Sequence, residues 1–286
     1  MNLYSWQSYV AFAVLSLSVA ILLQRIILHK HKADPVAFAT VFQLSVAFVM
    51  LPIFFVHPIS FAGFSKVWLA ILLATVAFGG GSVVYGRALA RLNAAVFSVL
   101  FATQAIWIML TGIIVFHEKL HPLQLLGTAV IFGSIFVLVK NPRQVWRSKG
   151  IALGLLTGAI FGMAIASASY VARYTDALTW VFASFILGGL ASLLVNPHKI
   201  KLCLPLLGGE TLRPILWLAV LYAVGNLAIT YAYIEGPFSL VGPIRQTGII
   251  VTTLLAFWFM KGERTDFTRK LVAAGICTVG VVLLVI

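Results

Sequence analysis

Apolar runs separated by short polar connectors organise this chain from one end to the other. Each run is about 20 residues long, the length a helix needs to cross a hydrocarbon core of roughly 30 Å. Ten can be read: Trp6 to Leu28, Pro35 to Val56, Val67 to Ala90, Ala94 to Phe116, Pro122 to Val139, Gly150 to Val171, Ala177 to Val195, Pro214 to Ile234, Pro237 to Met260 and Phe267 to Ile286. Lipid leaves unpaired backbone groups unsatisfied, so apolar segments of this length are predicted to be helices. Asp34-Pro35, Asn93, His121-Pro122 and Asp176 stand where helix starts are expected, as caps or first-turn residues.

The runs fall into two sets of five. In each set a fourth span enters a short turn carrying a glutamate, Glu118 in the first and Glu263 in the second, and a fifth span follows. Asp34 and Asp176 precede the second span of each set. An odd number of crossings per set turns the second copy upside down. The predicted fold is therefore all-α and integral to the membrane, with ten transmembrane helices as two inverted five-helix repeats over residues 1–145 and 146–286. Inverted repeats with a site between them are the architecture of secondary transporters.

Composition narrows the function classes. The 286 residues are 62% hydrophobic and 9% charged, with mean hydropathy +1.07, outside the range of a soluble domain. The formal charge of +13 sits in connectors rather than in a basic domain, which excludes nucleic acid as a partner. Sixteen of the 20 Lys and Arg residues follow odd-numbered spans, whereas Lys66, Lys119 and Arg173 follow even-numbered ones. The positive-inside rule then places the odd connectors in the cytoplasm and both termini outside. The first span lacks the basic flank and small-residue cleavage site of a secretory signal and is expected to remain in the protein. Cys203 and Cys277 lie too far apart in the layout to form a disulfide framework.

Gly150, Gly154, Gly158 and Gly162 share one face of the sixth span, a surface on which two helix backbones can approach closely. Packing inside the monomer is the expected use; a homodimer contact is the alternative.

Candidate binding groups are polar residues deep in spans. Arg245, roughly 13 Å into the ninth span at 1.5 Å per residue, is a charge placed near the midplane. Gln246 is beside it. Gln104 and Trp107 share a face of span four, and Asn226, Thr230 and Tyr233 share one of span eight. Gln43 in span two and Tyr85 in span three complete the set. All seven acids (Asp34, Glu118, Asp176, Glu210, Glu235, Glu263 and Asp266) lie in connectors or at span ends. A cationic-drug exporter would want an embedded carboxylate, so an anionic or zwitterionic metabolite such as an amino acid, with its acidic group on Arg245, fits better. No cofactor is called for.

His117-Glu118-Lys119-Leu120-His121 matches H-E-x-x-H, the zinc-protease pattern, and makes an intramembrane metalloprotease the rival from another class. Pro122 disfavours helix at His121, and Gly262 and Arg264 beside the equivalent Glu263 cannot bind zinc. No metal site and no enzyme activity are expected.

The two glutamate turns, the glycines of the spans that follow them (Gly127 and Gly133; Gly275 and Gly280), the Ala88 to Ala95 junction and Gly242-Pro243 together resemble the drug/metabolite transporter superfamily and its EamA-like ten-span permeases. The resemblance implies a plasma-membrane permease. Its central cavity would be lined by the first four spans of each half, with the fifth spans peripheral. It also implies cytoplasmic termini, opposite to the charge count.

Overall fold

The structure, a computed structural model, describes residues 5–108, 110, 122–138, 149–195, 197–236, 238–260 and 266–283. Every regular element among them is helical. The main helices are α1 (Ser5–Lys30), α2 (Pro35–Met50), α3 (Trp68–Arg91), α4 (Ala94–Phe101), α5 (Pro122–Leu138), α6 (Lys149–Tyr174), α7 (Ala177–Leu194), α8 (Gly209–Glu235), α9 (Phe238–Gln246), α10 (Gly248–Phe259) and α11 (Phe267–Leu283). Six of them are long and apolar enough to cross a membrane, and Val96–Ile108, Leu125–Val137 and Ile244–Phe259 form shorter apolar helices. The chain is thus an all-helical membrane protein. The glutamate turns at Glu118 and Glu263 and the segment His117 to His121 lie outside the described residues.

Helices pair across the two halves. α1 runs along α8 and α3 along α6, the broadest contacts in the bundle together with α5 against α11. α2 meets α7 and α4 meets α10, while α3 touches α7 as α8 touches α2.

Two helix starts are tied down in the expected way. The Asp34 carboxylate accepts from the Val36 and Ala37 amides at 2.9 and 3.3 Å and pairs with Lys199 from the connector after α7. Asp176 accepts from Thr179 N–H at 2.8 Å and pairs with His57 at 3.1 Å, from the connector after α2. The offset that carries Asp34 onto Asp176 also carries His57 onto Lys199, so each half lends a base to the other half's cap. Partial burial opposes ionisation of both carboxyls, but the hydrogen bonds outweigh it and hold each below the usual carboxylate range.

Three expectations are corrected. α8 begins at Gly209 rather than Pro214, because the connector amides before the proline already close helical turns. Span nine, where Gly242-Pro243 is expected to kink the helix because proline lacks the backbone N–H, is interrupted instead at Thr247, and α9 continues helical past the proline. Arg25, counted with the basic residues of the first connector although it lies before the end of the first span, belongs to α1 and is 6% exposed. Its guanidinium donates to Leu89 and Ala90 carbonyls at 2.7 and 2.8 Å, at the negative end of α3.

Cys203 offers a native test of orientation, because it lies half-buried in the connector after α7 while Cys277 is wholly buried. Burial and the nearby Asp34 carboxylate push its thiol up, so labelling should be run above pH 8. The charge asymmetry predicts that an impermeant maleimide modifies Cys203 in inside-out vesicles and not in intact cells. Labelling of intact cells would reverse the orientation.

Candidate functional site

Between the halves lies a cavity walled by α3, α6, α7, α8 and α9. Tyr222, Asn226, Thr230 and Tyr233 descend one face of α8 into it, Phe78 and Phe161 form its aromatic floor, and Arg245 reaches it from α9. Ala172 and Trp180 mark the end nearest the α6–α7 turn. An adjoining space shares Phe78, Phe161, Tyr222 and Asn226 and extends to Gln43, Ser82 and Ser184. No aspartate or glutamate is among the described residues lining either one.

Arg245 is the only charged side chain described on these walls. The Tyr233 hydroxyl lies beside its guanidinium, and its charge also acts on the hydroxyls of Tyr85 and Tyr222. Among the described residues no carboxylate pairs with it. The cation is therefore offered to the cavity with phenols rather than a counter-ion around it.

Helix breaks set the height of this charge. α9 stops at Gln246 and α10 begins at Gly248; the Thr247 hydroxyl donates to the Ile244 carbonyl at 2.7 Å in the gap. Span four has a matching break. α4 stops at Phe101, the helix resumes at residue 104, and the Thr103 hydroxyl donates to the Leu100 carbonyl at 2.7 Å. The offset that superposes Glu118 on Glu263 carries Ala102 onto Thr247. Irregular backbone at this depth is tolerated where protein or a cavity surrounds it.

The glycine face of α6 seats the break in span four, so its packing partner is within the chain. A Cβ on Gly158 would stand 2.3 Å from Thr103 Oγ1 and 3.2 Å from the Gln104 amide nitrogen. One on Gly162 would stand 2.5 Å from Trp107 Cβ and 2.9 Å from the Gln104 carbonyl. This close approach aims Gln104 inward, where it is 1% exposed.

The other residues singled out from sequence divide into groups. Arg245, Asn226, Thr230 and Tyr233 meet on the main cavity, with Gln43 on the adjoining one. Gln43 also donates to Ser192 Oγ at 2.9 Å, and Ser192 bonds the Gly79 and Gly188 carbonyls, so this glutamine ties α2 to α7 and α3 as well. Arg245, Gln246 and Gln104 border a third space, between α1, span four and α10. Tyr85 stacks among Phe97, Phe101 and Phe161, with ring centroids 4.7, 5.6 and 5.7 Å away, and reaches the cavity through Phe161. Trp107 is 40% exposed and lines none of the described cavities. Tyr222, Phe78, Phe161 and Trp180 were not picked out from sequence. Tyr222 extends the Asn226 stripe by one turn and was findable; the others look like any apolar core residue.

Residues 4–140 match the model of the EamA-like transporter family. The match covers α1 through α5. Among solved structures, one described only as the crystal structure of a protein superposes with a TM-score of 0.69, covering 95% of this chain and 94% of its own, at 15% identity. At that identity the likeness is one of fold. No curated protein matches the sequence. Among the described residues, no group of three His, Cys, Asp or Glu side chains is placed to hold a metal ion.

Gly158→Ala is predicted to force Thr103 aside and lower stability by about 1 to 3 kcal/mol. Gly80→Ala, whose Cβ would meet nothing within 4 Å, should be neutral or slightly stabilising. Thermal unfolding in detergent distinguishes the two; equal effects would contradict the assigned packing.

Proposed function

We propose that this EamA-like protein is a secondary transporter of the plasma membrane, built as ten helices in two inverted five-helix repeats over residues 1–145 and 146–286. It moves a small anionic or zwitterionic metabolite, an amino acid in the first instance, by alternating access around the cavity between the repeats. Three features support the repeat reading. Helix contacts come in sets that survive exchanging the halves. Caps and their bases exchange in the same way, and the breaks in spans four and nine fall at equivalent positions. The resemblance in its first half to a transporter family agrees with transport rather than proteolysis.

The substrate class rests on one observation. Arg245 presents a cation to an acid-free, tyrosine-rich cavity and has no carboxylate partner among the described residues. A buried guanidinium repays its desolvation when a planar anion accepts its paired N–H groups. A cationic drug would meet repulsion there.

The test is substitution at Arg245, read by ligand-induced thermal stabilisation and by counterflow in liposomes against amino acids and other small organic acids. Arg245→Ala is expected to lose one to two orders of magnitude in affinity, because charge-assisted hydrogen bonds contribute about 1.5 to 3 kcal/mol each. Arg245→Lys should restore part of it. Normal transport by a stable Arg245→Leu protein, leucine being the residue that Leu100 supplies at the equivalent place, would end the proposal.

A further inference from the structure

Arg245 borders a second space besides the main cavity, a small pocket between α1, span four and α10. Its walls are apolar at Val14, Leu17, Ile21 and Ile249, but polar groups converge on it from three helices. Gln104 is 1% exposed, Gln246 6% and Thr252 1%. Gln104 Oε1, Gln246 Nε2 and Thr252 Oγ1 are all buried with no hydrogen-bond partner among the described residues. Ser18 and Ser98 already donate to the Gly248 and Ala94 carbonyls, at 3.2 and 2.9 Å, and keep acceptor capacity toward the pocket.

Buried polar atoms are almost always hydrogen-bonded, and three orphans facing one small pocket are not explained by packing. Their chemistry specifies what would satisfy them. A carboxamide brings donors and an acceptor, and a hydroxyl can do both, so exchanging O and N in either glutamine leaves the same demand. The demand is for a neutral group that donates and accepts. A second carboxylate would leave the acceptors unpaired. An alkyl chain would leave every one of them unpaired.

We propose that this pocket is a second substrate subsite, sharing Arg245 with the main cavity. It receives the neutral hydrogen-bonding end, a carboxamide or hydroxyl, of a ligand whose acidic group meets the guanidinium. This rests on Arg245 being a substrate contact and deepens that reading by naming the other end of the molecule. The matched breaks in spans four and nine set the subsite: one places Arg245 and Gln246 at its rim, and the other turns Gln104 toward it.

Asparagine and leucine have side chains of nearly the same shape, one ending in a carboxamide and the other in two methyls, and serve as the probe pair. Counterflow into liposomes carrying the wild-type protein is expected to favour asparagine over leucine at least tenfold. The Gln104→Leu/Thr252→Val protein is expected to lose at least tenfold of that preference, with thermal stability kept or raised, since the change removes unpaired buried atoms. An unchanged preference in the double variant would overturn the subsite and leave transport on Arg245 standing. A marked fall in the variant's melting temperature would also overturn it, showing the groups to be struts. Transport of neither compound by the wild type would overturn the amino-acid reading, and with it the subsite as stated.

Discussion

A guanidinium in the middle of a bilayer is among the most expensive groups a membrane protein can hold, and Arg245, proposed to lie there, is set between two cavities of the helix bundle. Insertion scales put the cost at about 2.5 to 3.5 kcal/mol or more at the helix centre. The side chain meets no carboxylate among the described residues. It borders two cavities, with phenols on one side and amides and hydroxyls on the other. These groups solvate a cation partially without neutralising it, which suits the proposed role of binding a substrate's acidic group and releasing it.

Holding the charge there needs two other features. Span nine breaks at Thr247 just beyond Arg245, and span four breaks at the equivalent height. Breaks are tolerable because neighbouring backbones come close enough to exclude lipid, which the glycine face of α6 permits against span four and Gly248 permits against Ser18 of α1. The same exchange of roles recurs at the surface, where Lys199 serves the Asp34 cap and His57 the Asp176 cap. Local helix chemistry, helix packing and the cavity are thus linked by a single arrangement used twice.

Much of this was legible in the chain. Helix starts at Pro35 and Ala177 followed from their aspartates, because capping is a local interaction. The α8 stripe of Asn226, Thr230 and Tyr233 followed from helical periodicity, and the structure brings it to Arg245. What local pattern does not encode is which neighbour a face meets. Arg25 looked like a connector charge because it lies near a span end, and only the approach of α3 reveals that it bonds carbonyls. Trp107 shares a face with Gln104 and packs its Cβ on the same Gly162, yet it is 40% exposed where Gln104 is 1% exposed, a difference that spacing alone does not encode. Pro243 in span nine is the sixth residue of α9 and is carried inside the helix, so the break at Thr247 is not marked by the proline.

The central claim is that the cavity holding Arg245 is the path of the substrate. Ser169 lines that cavity on α6. A Ser169→Cys change in a Cys203→Ser background gives a thiol whose reaction with an impermeant maleimide can be timed in proteoliposomes, with and without a transported amino acid. The account predicts that the thiol reacts, that the amino acid slows the reaction, and that Arg245→Leu removes this protection without removing reactivity. A thiol inert from both sides of the membrane, or protection that persists unchanged in Arg245→Leu, would contradict it.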